Sequence, residues 1–593
     1  MIELRALLIA GAALALPAAP AFAADDAVDA AAAAAGDRGL PAQLSTRERE
    51  GYRAVFASIR ASDWSGAWQR LAEMKDGPLH DLATAELYLA PGSPRVELAP
   101  LLALLARAPQ LPQAPQIARL AKLRGAETLP EMPVARNLSW VGGQPRRARP
   151  KSVAKGAIAA QLDALIQPLI VADKPADAER LLLEREVEIE PGARTEFQQR
   201  IAWSHYLIGD DSSARRLADQ ARRGSGEWVV QAHWVAGLAA WRTRDCADAA
   251  DAFATVGAQA TDTELSAAGH YWAARSEMVC ARPERVQGHL RAAARLGETF
   301  YGLLSASALG LRNPGAAALH DYRDAEWRSI GNRPNVKAAM AAMEIGERAL
   351  ADQLVTHEAK IGGVEDHNAL LHLAADLDLA GTQYWLAHNA PRGARVSMSA
   401  RYPAPDWRPV RGWRVDKSLA FAHALQESNF RTQVVSPAGA TGVMQLRPGT
   451  AGDMARSRGE AFDPRQLVEP SANLEFGQSY LEYLRDLQAT GGLLPKVIAA
   501  YNAGSSPISE WNGRQRDQGD PLLYIESIPY WETRGYVPIV LRNYWVYEQQ
   551  AGKDSVSRRA LAQGLWPRFP GMPGASAVRL TAGSVSTSTA GTD

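Results

Sequence analysis

Leu425-Gln426-Glu427-Ser428-Asn429-Phe430, followed by Ser436-Pro437-Ala438-Gly439-Ala440-Thr441-Gly442-Val443-Met444-Gln445-Leu446, is the stretch on which the reading of this chain turns. Asp416 suits the N-cap of a helix from Lys417 to about Ser428, with Phe421, Ala424 and Leu425 on one apolar face. Glu427 then falls in the last turn. There the carbonyl end of the helix disfavours an anion, and Ala420, Ala424 and Val443 or Met444 would desolvate the carboxyl, so both effects raise its pKa. An unperturbed Glu is about 0.2% protonated at pH 7, whereas one raised to ~6.5 is protonated about a quarter of the time. A Gly-punctuated loop that ends in an amide suits a protonated acid better than a metal ligand.

Working outward, Thr450-Ala451-Gly452-Asp453 reads as a capping box opening the next helix, with Asp453 structural. A further helix spans 473–487, with Leu474, Tyr480, Leu481 and Leu484 on one side and Gly477 allowing close packing against the Glu427 helix. Ala500-Tyr501-Asn502-Ala503-Gly504 ends another, Gly504 suiting a left-handed C-cap. Two carboxylates follow, in Glu526-Ser527-Ile528-Pro529 and Glu532-Thr533-Arg534-Gly535-Tyr536-Val537. Glu532 with Arg534 reads as an internal ion pair.

In that order and spacing these strings resemble the soluble lytic murein transglycosylases, specifically over residues 402–550 and only architecturally elsewhere. The resemblance implies a lysozyme-like α-rich domain and cleavage of the β-1,4 bond between N-acetylmuramic acid and N-acetylglucosamine, forming a 1,6-anhydro product. Glu427 would act as acid and then as base. Ser436 and Gln445 would line the subsites beside it, with Met444 below the sugar. Tyr501 would point its hydroxyl at the acid, Asn502 would organise its turn, Glu526 would lie in the substrate groove, and Tyr536 would position Glu427. Arg447 stands where relatives carry an apolar or amide residue, which leaves its role open. The resemblance implies no metal and no organic cofactor. It implies peptidoglycan glycan strands as partner, with other cell-wall enzymes as candidates. Two alternatives stay open: a lysozyme-type hydrolase with a second carboxylate that activates water, and a non-catalytic glycan-binding scaffold.

The N-terminus reads as an export signal over residues 1–23: Arg5, an apolar run from Ala6 to Leu16, and Ala21-Phe22-Ala23 as a small-x-small cleavage site. The run is shorter than the ~20 residues of a membrane span, and no later stretch is long and apolar enough to be one. A periplasmic protein with no transmembrane segment in its mature form is expected. Even without those residues, a chain of 593 is too long for one core. Residues 40–400 are rich in Ala, Leu, Arg and Glu with Pro and Gly breaks, which predicts many short amphipathic helices. Tyr206-Leu207-Ile208-Gly209-Asp210 with Ala214 recurs 35 residues later as Trp241-Arg242-Thr243-Arg244-Asp245 with Ala249. A period of that size predicts stacked helical hairpins.

The expected class is all-α: a superhelical solenoid over 24–400 with a sub-boundary near 130–150, a catalytic domain over 401–570 and a flexible tail over 571–593. The basic run Arg146-Arg147-Ala148-Arg149-Pro150-Lys151 reads as a solvated loop. Cys246 and Cys280 are the two cysteines, and an oxidising compartment favours their disulfide. Lys plus Arg and Asp plus Glu are both 65, which argues against nucleic acid as a partner. His357-Glu358 has Ile361 where a zinc motif needs its second His, and neither a G-x-S-x-G elbow nor a phosphate-binding loop occurs.

Overall fold

The computed structural model describes residues 40–311, 324–514 and 516–581. The export signal expected over residues 1–23 lies outside them. The chain divides into two compact units, Met1–Leu138 with Tyr322–Thr382, and Ser139–Asp321 with Gln383–Asp593. Both are built of helices. Among the described residues, strands occur only as two-residue antiparallel pairs, Ser139–Trp140 with Asn389–Ala390 and Trp566–Pro567 with Ala577–Val578. No described helix is long and apolar enough to cross a membrane.

In the first unit, Thr46–Arg60 and Trp64–Glu73 form a hairpin whose entry is fixed by a capping box between Ser45 and Glu48. Buried Tyr52, Phe56 and Leu71 are its core contribution. Glu344 accepts from the Gln43 amide at 2.6 Å and from Arg49 at 2.9 Å, tying the start of the described chain to the Pro334–Glu344 helix.

In the second unit, after the helices Ala157–Val171 and Pro175–Arg185, come successive hairpins: Pro191–Ile208 with Asp211–Ala221, Trp228–Arg242 with Cys246–Gln259, and Thr263–Val279 with Pro283–Ala294. Each turns through one left-handed residue, Gly209, Arg244 or Ala281. In the first two, Asp210 and Asp245 then cap the next helix through the Ser213 and Asp248 amides. The 35-residue recurrence is therefore the recurrence of a turn and its cap. Cys246 and Cys280 are disulfide-bonded with Cα atoms 5.5 Å apart, joining the start of one helix to the C-cap of the next.

These hairpins and the C-terminal helices share one core. Phe300 stacks on Trp545 at 5.1 Å, and Arg542, fully buried, reaches Glu264 at 3.3 Å and the Pro145 carbonyl at 2.5 Å. The basic run is correspondingly not all solvated: Arg147 is drawn inside by the Glu526 carboxylate. The expected flexible tail is held in its first part, where Arg568 donates to the Ser576 carbonyl at 2.9 Å and Val578 pairs with Trp566. Main-chain pairing holds it, which is why its poverty in apolar side chains misled; residues 582–593 lie outside the described set.

Candidate active site

Glu427 sits on the Lys417–Ser428 helix, capped at its start by Asp416 through the Ser418 amide. Asn429 and Phe430 end the helix with two consecutive left-handed residues, φ 53° and 61°. Phe430 turns inward to meet Phe421 at 5.4 Å, so the chain leaves the helix anchored in the core just beyond the acid. Ser428 donates to the Val443 carbonyl at 2.7 Å and thereby ties the helix end to the loop that follows.

That loop is closed by its own backbone and small side chains. The Ser436 amide donates to Ala440 at 2.8 Å while the Ser436 hydroxyl accepts from the Ala440 amide at 3.0 Å. The Gln445 amide group donates to the Val434 and Gly442 carbonyls at 3.1 and 2.8 Å. Gly442 has φ 80°, and a Cβ there would lie 2.1 Å from the Leu467 carbonyl oxygen, so only glycine fits. Buried Asn473 holds three strands of this weave, accepting from the Met444 amide and donating to the Thr441 and Leu467 carbonyls. Sequence reading passed over Asn473; only its place at the loop's far side, invisible in the sequence, gives it this role.

Glu427 retains partial access to solvent. Burial nevertheless pushes its pKa up to about 7; the hydrogen bond from the Tyr536 hydroxyl to its Oε1, 2.6 Å, opposes the rise, and the charge of Glu532 adds to it. Two other carboxyls, Glu264 and Glu548, are also pushed up to about 7, but both are enclosed in the core. Of these three, Glu427 alone combines a pKa of about 7 with an opening to solvent.

The other expected residues divide. Tyr536 bonds the acid directly, and Asn502 accepts from Thr533 at 2.6 Å, which joins its turn to the Trp531–Gln550 helix. Tyr501 is half-buried within electrostatic reach of Glu427 but donates to the Met444 carbonyl at 2.8 Å, so its hydroxyl serves the loop and not the carboxyl. Met444 is fully buried with its sulfur over Gly477, where a Cβ would meet it at 2.1 Å. Gly477 thus makes room for the loop's methionine and not, as expected, for the Glu427 helix. The next helix begins at Pro448 with Arg447 as its N-cap, so Thr450 and Asp453 lie inside it and Asp453 pairs with Arg456; no capping box forms.

Glu526, expected in the groove, is 1% exposed. Arg147 donates to both its oxygens at 2.6 and 3.1 Å, and the Tyr301 hydroxyl adds a third bond at 2.7 Å. Arg534 forms no ion pair with Glu532: its guanidinium lies 4.2 Å from the Trp203 ring and 5.1 Å from that of Trp531, and donates to the Ile528 carbonyl. Glu532 is left exposed within electrostatic reach of Glu427, the carboxylate that the sequence reading paired elsewhere. Among the described residues no cluster of three or more His, Cys, Asp or Glu is placed to hold a metal.

Residues 410–523 match the transglycosylase SLT domain family. The chain is 42% identical over 136 residues to the soluble lytic murein transglycosylase of Salmonella typhimurium and 40% identical over 136 residues to that of Escherichia coli K12. Each alignment covers 23% of this chain and 21% of the relative, so the chain matches about a fifth of the length of these curated relatives. In fold, it resembles the crystal structure of the 70 kDa soluble lytic transglycosylase from Escherichia coli, with a TM-score of 0.54 and 18% identity over 89% of this chain and 100% of that one. The likeness is therefore one of fold over 89% of the chain and of sequence over a stretch that includes Glu427.

Proposed function

We propose that the protein, whose residues 410–523 match the transglycosylase SLT domain family, is a peptidoglycan lytic transglycosylase using one carboxylic acid. The observation that carries this reading is Glu427: a solvent-reachable carboxyl whose pKa burial pushes up to about 7, bonded through one oxygen by Tyr536. A leaving sugar oxygen departs readily only when protonated. Glu427 gives its proton to the oxygen between N-acetylmuramic acid and N-acetylglucosamine, and the muramic acetamido carbonyl supports C1 as positive charge develops. The ionised Glu427 then takes the proton of the muramic C6 hydroxyl, whose oxygen bonds to C1 of the same sugar. A 1,6-anhydro end forms and no water is consumed. Attack within one sugar gains from proximity, with effective molarities that reach ~10⁵ M or more.

In this reading Tyr536 is the positioning residue, and the Ser436 to Gln445 loop shapes the subsites, with Met444 packed beneath the loop. Glu532, not the enclosed Glu526, is the second carboxylate near substrate. Glycan strands of the periplasmic cell wall are the substrate, and the helical hairpins supply further surface for them.

Mass spectrometry of digested sacculi tests the proposal. Wild type should release muropeptides one water lighter than lysozyme products, and Glu427→Gln should lose more than the ~10² to 10⁴ of a single acid–base role, because it can neither donate nor accept the proton. Fully hydrated reducing ends would move the assignment to a hydrolase, and a near-active Gln variant would remove Glu427 from the chemistry.

A further inference from the structure

His423 lies one helical turn before Glu427 and has no exposed surface. Its Nδ1 is 2.8 Å from the Tyr536 hydroxyl, the same hydroxyl that is 2.6 Å from Glu427 Oε1. Its ring lies against that of Tyr501, centroids 4.4 Å apart, and its Nε2 is buried with no protein hydrogen-bond partner among the described residues.

We propose that His423 is a positioning residue that acts through Tyr536 to fix which oxygen of Glu427 carries the catalytic proton. A phenolic hydroxyl has one proton to donate. If Nδ1 of His423 bears hydrogen, it donates to the Tyr536 oxygen, and the tyrosine proton has only Glu427 Oε1 to go to. Oε1 then serves as acceptor, and the acid proton of Glu427 resides on Oε2, available to the sugar oxygen. If Nε2 bears the hydrogen, Tyr536 can donate back to Nδ1 and accept from Glu427, which sequesters the acid proton on Oε1. Burial decides between the tautomers: an unpaired lone pair at Nε2 costs less than an unpaired buried N–H. Desolvation also keeps the ring neutral, its pKa pushed down to about 3, so a second proton does not blur the choice.

The groups facing this chain are few. Tyr536 and Glu532 come from the Trp531–Gln550 helix and Tyr501 from the Leu494–Ala503 helix, with Tyr480 behind Tyr501 at 5.3 Å. Glu532 raises the Glu427 pKa by its charge, and the Tyr536 hydrogen bond lowers it. Turning the Tyr536 hydroxyl round, so that it accepts, removes the lowering and raises the pKa further.

The inference rests on the acid role proposed for Glu427, but its direct test needs no substrate. In protein labelled with ¹⁵N-histidine, the His423 signal, assigned by its loss in His423→Asn, should report the Nδ1–H tautomer from pH 5 to 8. In ¹³C-glutamate protein, the Glu427 midpoint should move up in His423→Leu and return towards wild type in His423→Asn, whose Nδ2 stands where His Nδ1 does. In sacculus digestion, His423→Leu should lower kcat roughly tenfold, the scale of one hydrogen bond, with KM unchanged and the alkaline limb shifted upward. Asn should recover most of the loss. In a Tyr536→Phe background, His423→Leu should not move the midpoint further, since the link is already cut. An Nε2–H tautomer in the wild type, or Leu and Asn variants with equal losses and an unshifted midpoint, would overturn the proposal. Thermal melts identify a Leu variant that merely misfolds, and the wild-type tautomer still decides the matter.

Discussion

A carboxyl that stays protonated at neutral pH does so at the fold's expense, and for Glu427 the sign can be worked out. Its folded pKa is about 7, against an ordinary value of 4.5. Below the unfolded value both states hold the proton and the group contributes nothing. As pH rises from 4.5 to 7, the unfolded chain releases its proton while the folded one retains it, so folding loses stability across that window. Above 7 the loss is constant, of order 3 kcal/mol at about 1.4 kcal/mol per pKa unit. Glu427→Gln lacks the titration. Its melting temperature should equal that of wild type near pH 4.5 and exceed it by a growing margin up to pH 7 or above, read by melts across that range. A margin independent of pH would mean that Glu427 is not desolvated in solution as it is here.

At the scale of elements, the local signals were legible and the tertiary ones were not. The Asp416 cap, the helix up to Ser428 and the place of Glu427 in its last turn follow from spacing and capping chemistry, and all three are present. The supposed box at Thr450 failed because Pro448 takes the first helical turn, a position proline fills well, and so moves the start forward. Glu526 was misplaced because nothing near it in sequence announces Arg147, 379 residues away. Gly477 was read correctly as a close approach but given the wrong neighbour. That neighbour makes a test. A Cβ at 477 meets the Met444 sulfur, so Gly477→Ala should cost about 1–3 kcal/mol by overpacking. It should also slow turnover, since the Met444 main chain holds both Tyr501 and Asn473. Shortening Met444 to Ala in the same chain should recover part of the loss in Tm, leaving the two changes clearly non-additive. Strict additivity would show that the contact does not decide the packing.

For the whole molecule, a disulfide ties two of the helical hairpins to each other, and a buried ion pair ties the loop before those hairpins to the C-terminal helices. The Cys246–Cys280 disulfide spans 34 residues, for which the chain-entropy model gives about 3.5–4 kcal/mol. Reduction should therefore lower the melting temperature and raise hydrogen exchange first in residues 228–294, before the Glu427 helix. Equal loosening of both would show that the hairpins and the site unfold as one. The Arg147–Glu526 pair gives the sharper discrimination, because it separates a structural role from a substrate-binding one. Glu526 is enclosed, with both oxygens already bonded by Arg147 and Tyr301, so a carboxylate there is closed to a sugar. Arg147→Ala strands that charge in the core and should cost about 3–5 kcal/mol. Glu526→Gln keeps the volume and a partial hydrogen-bonding set, and should cost less. In the fraction that remains folded, both variants should retain the wild-type KM for glycan. A raised KM at unchanged Tm for Glu526→Gln would return this residue to the groove, and the enclosure by Arg147 would then have to open when substrate binds.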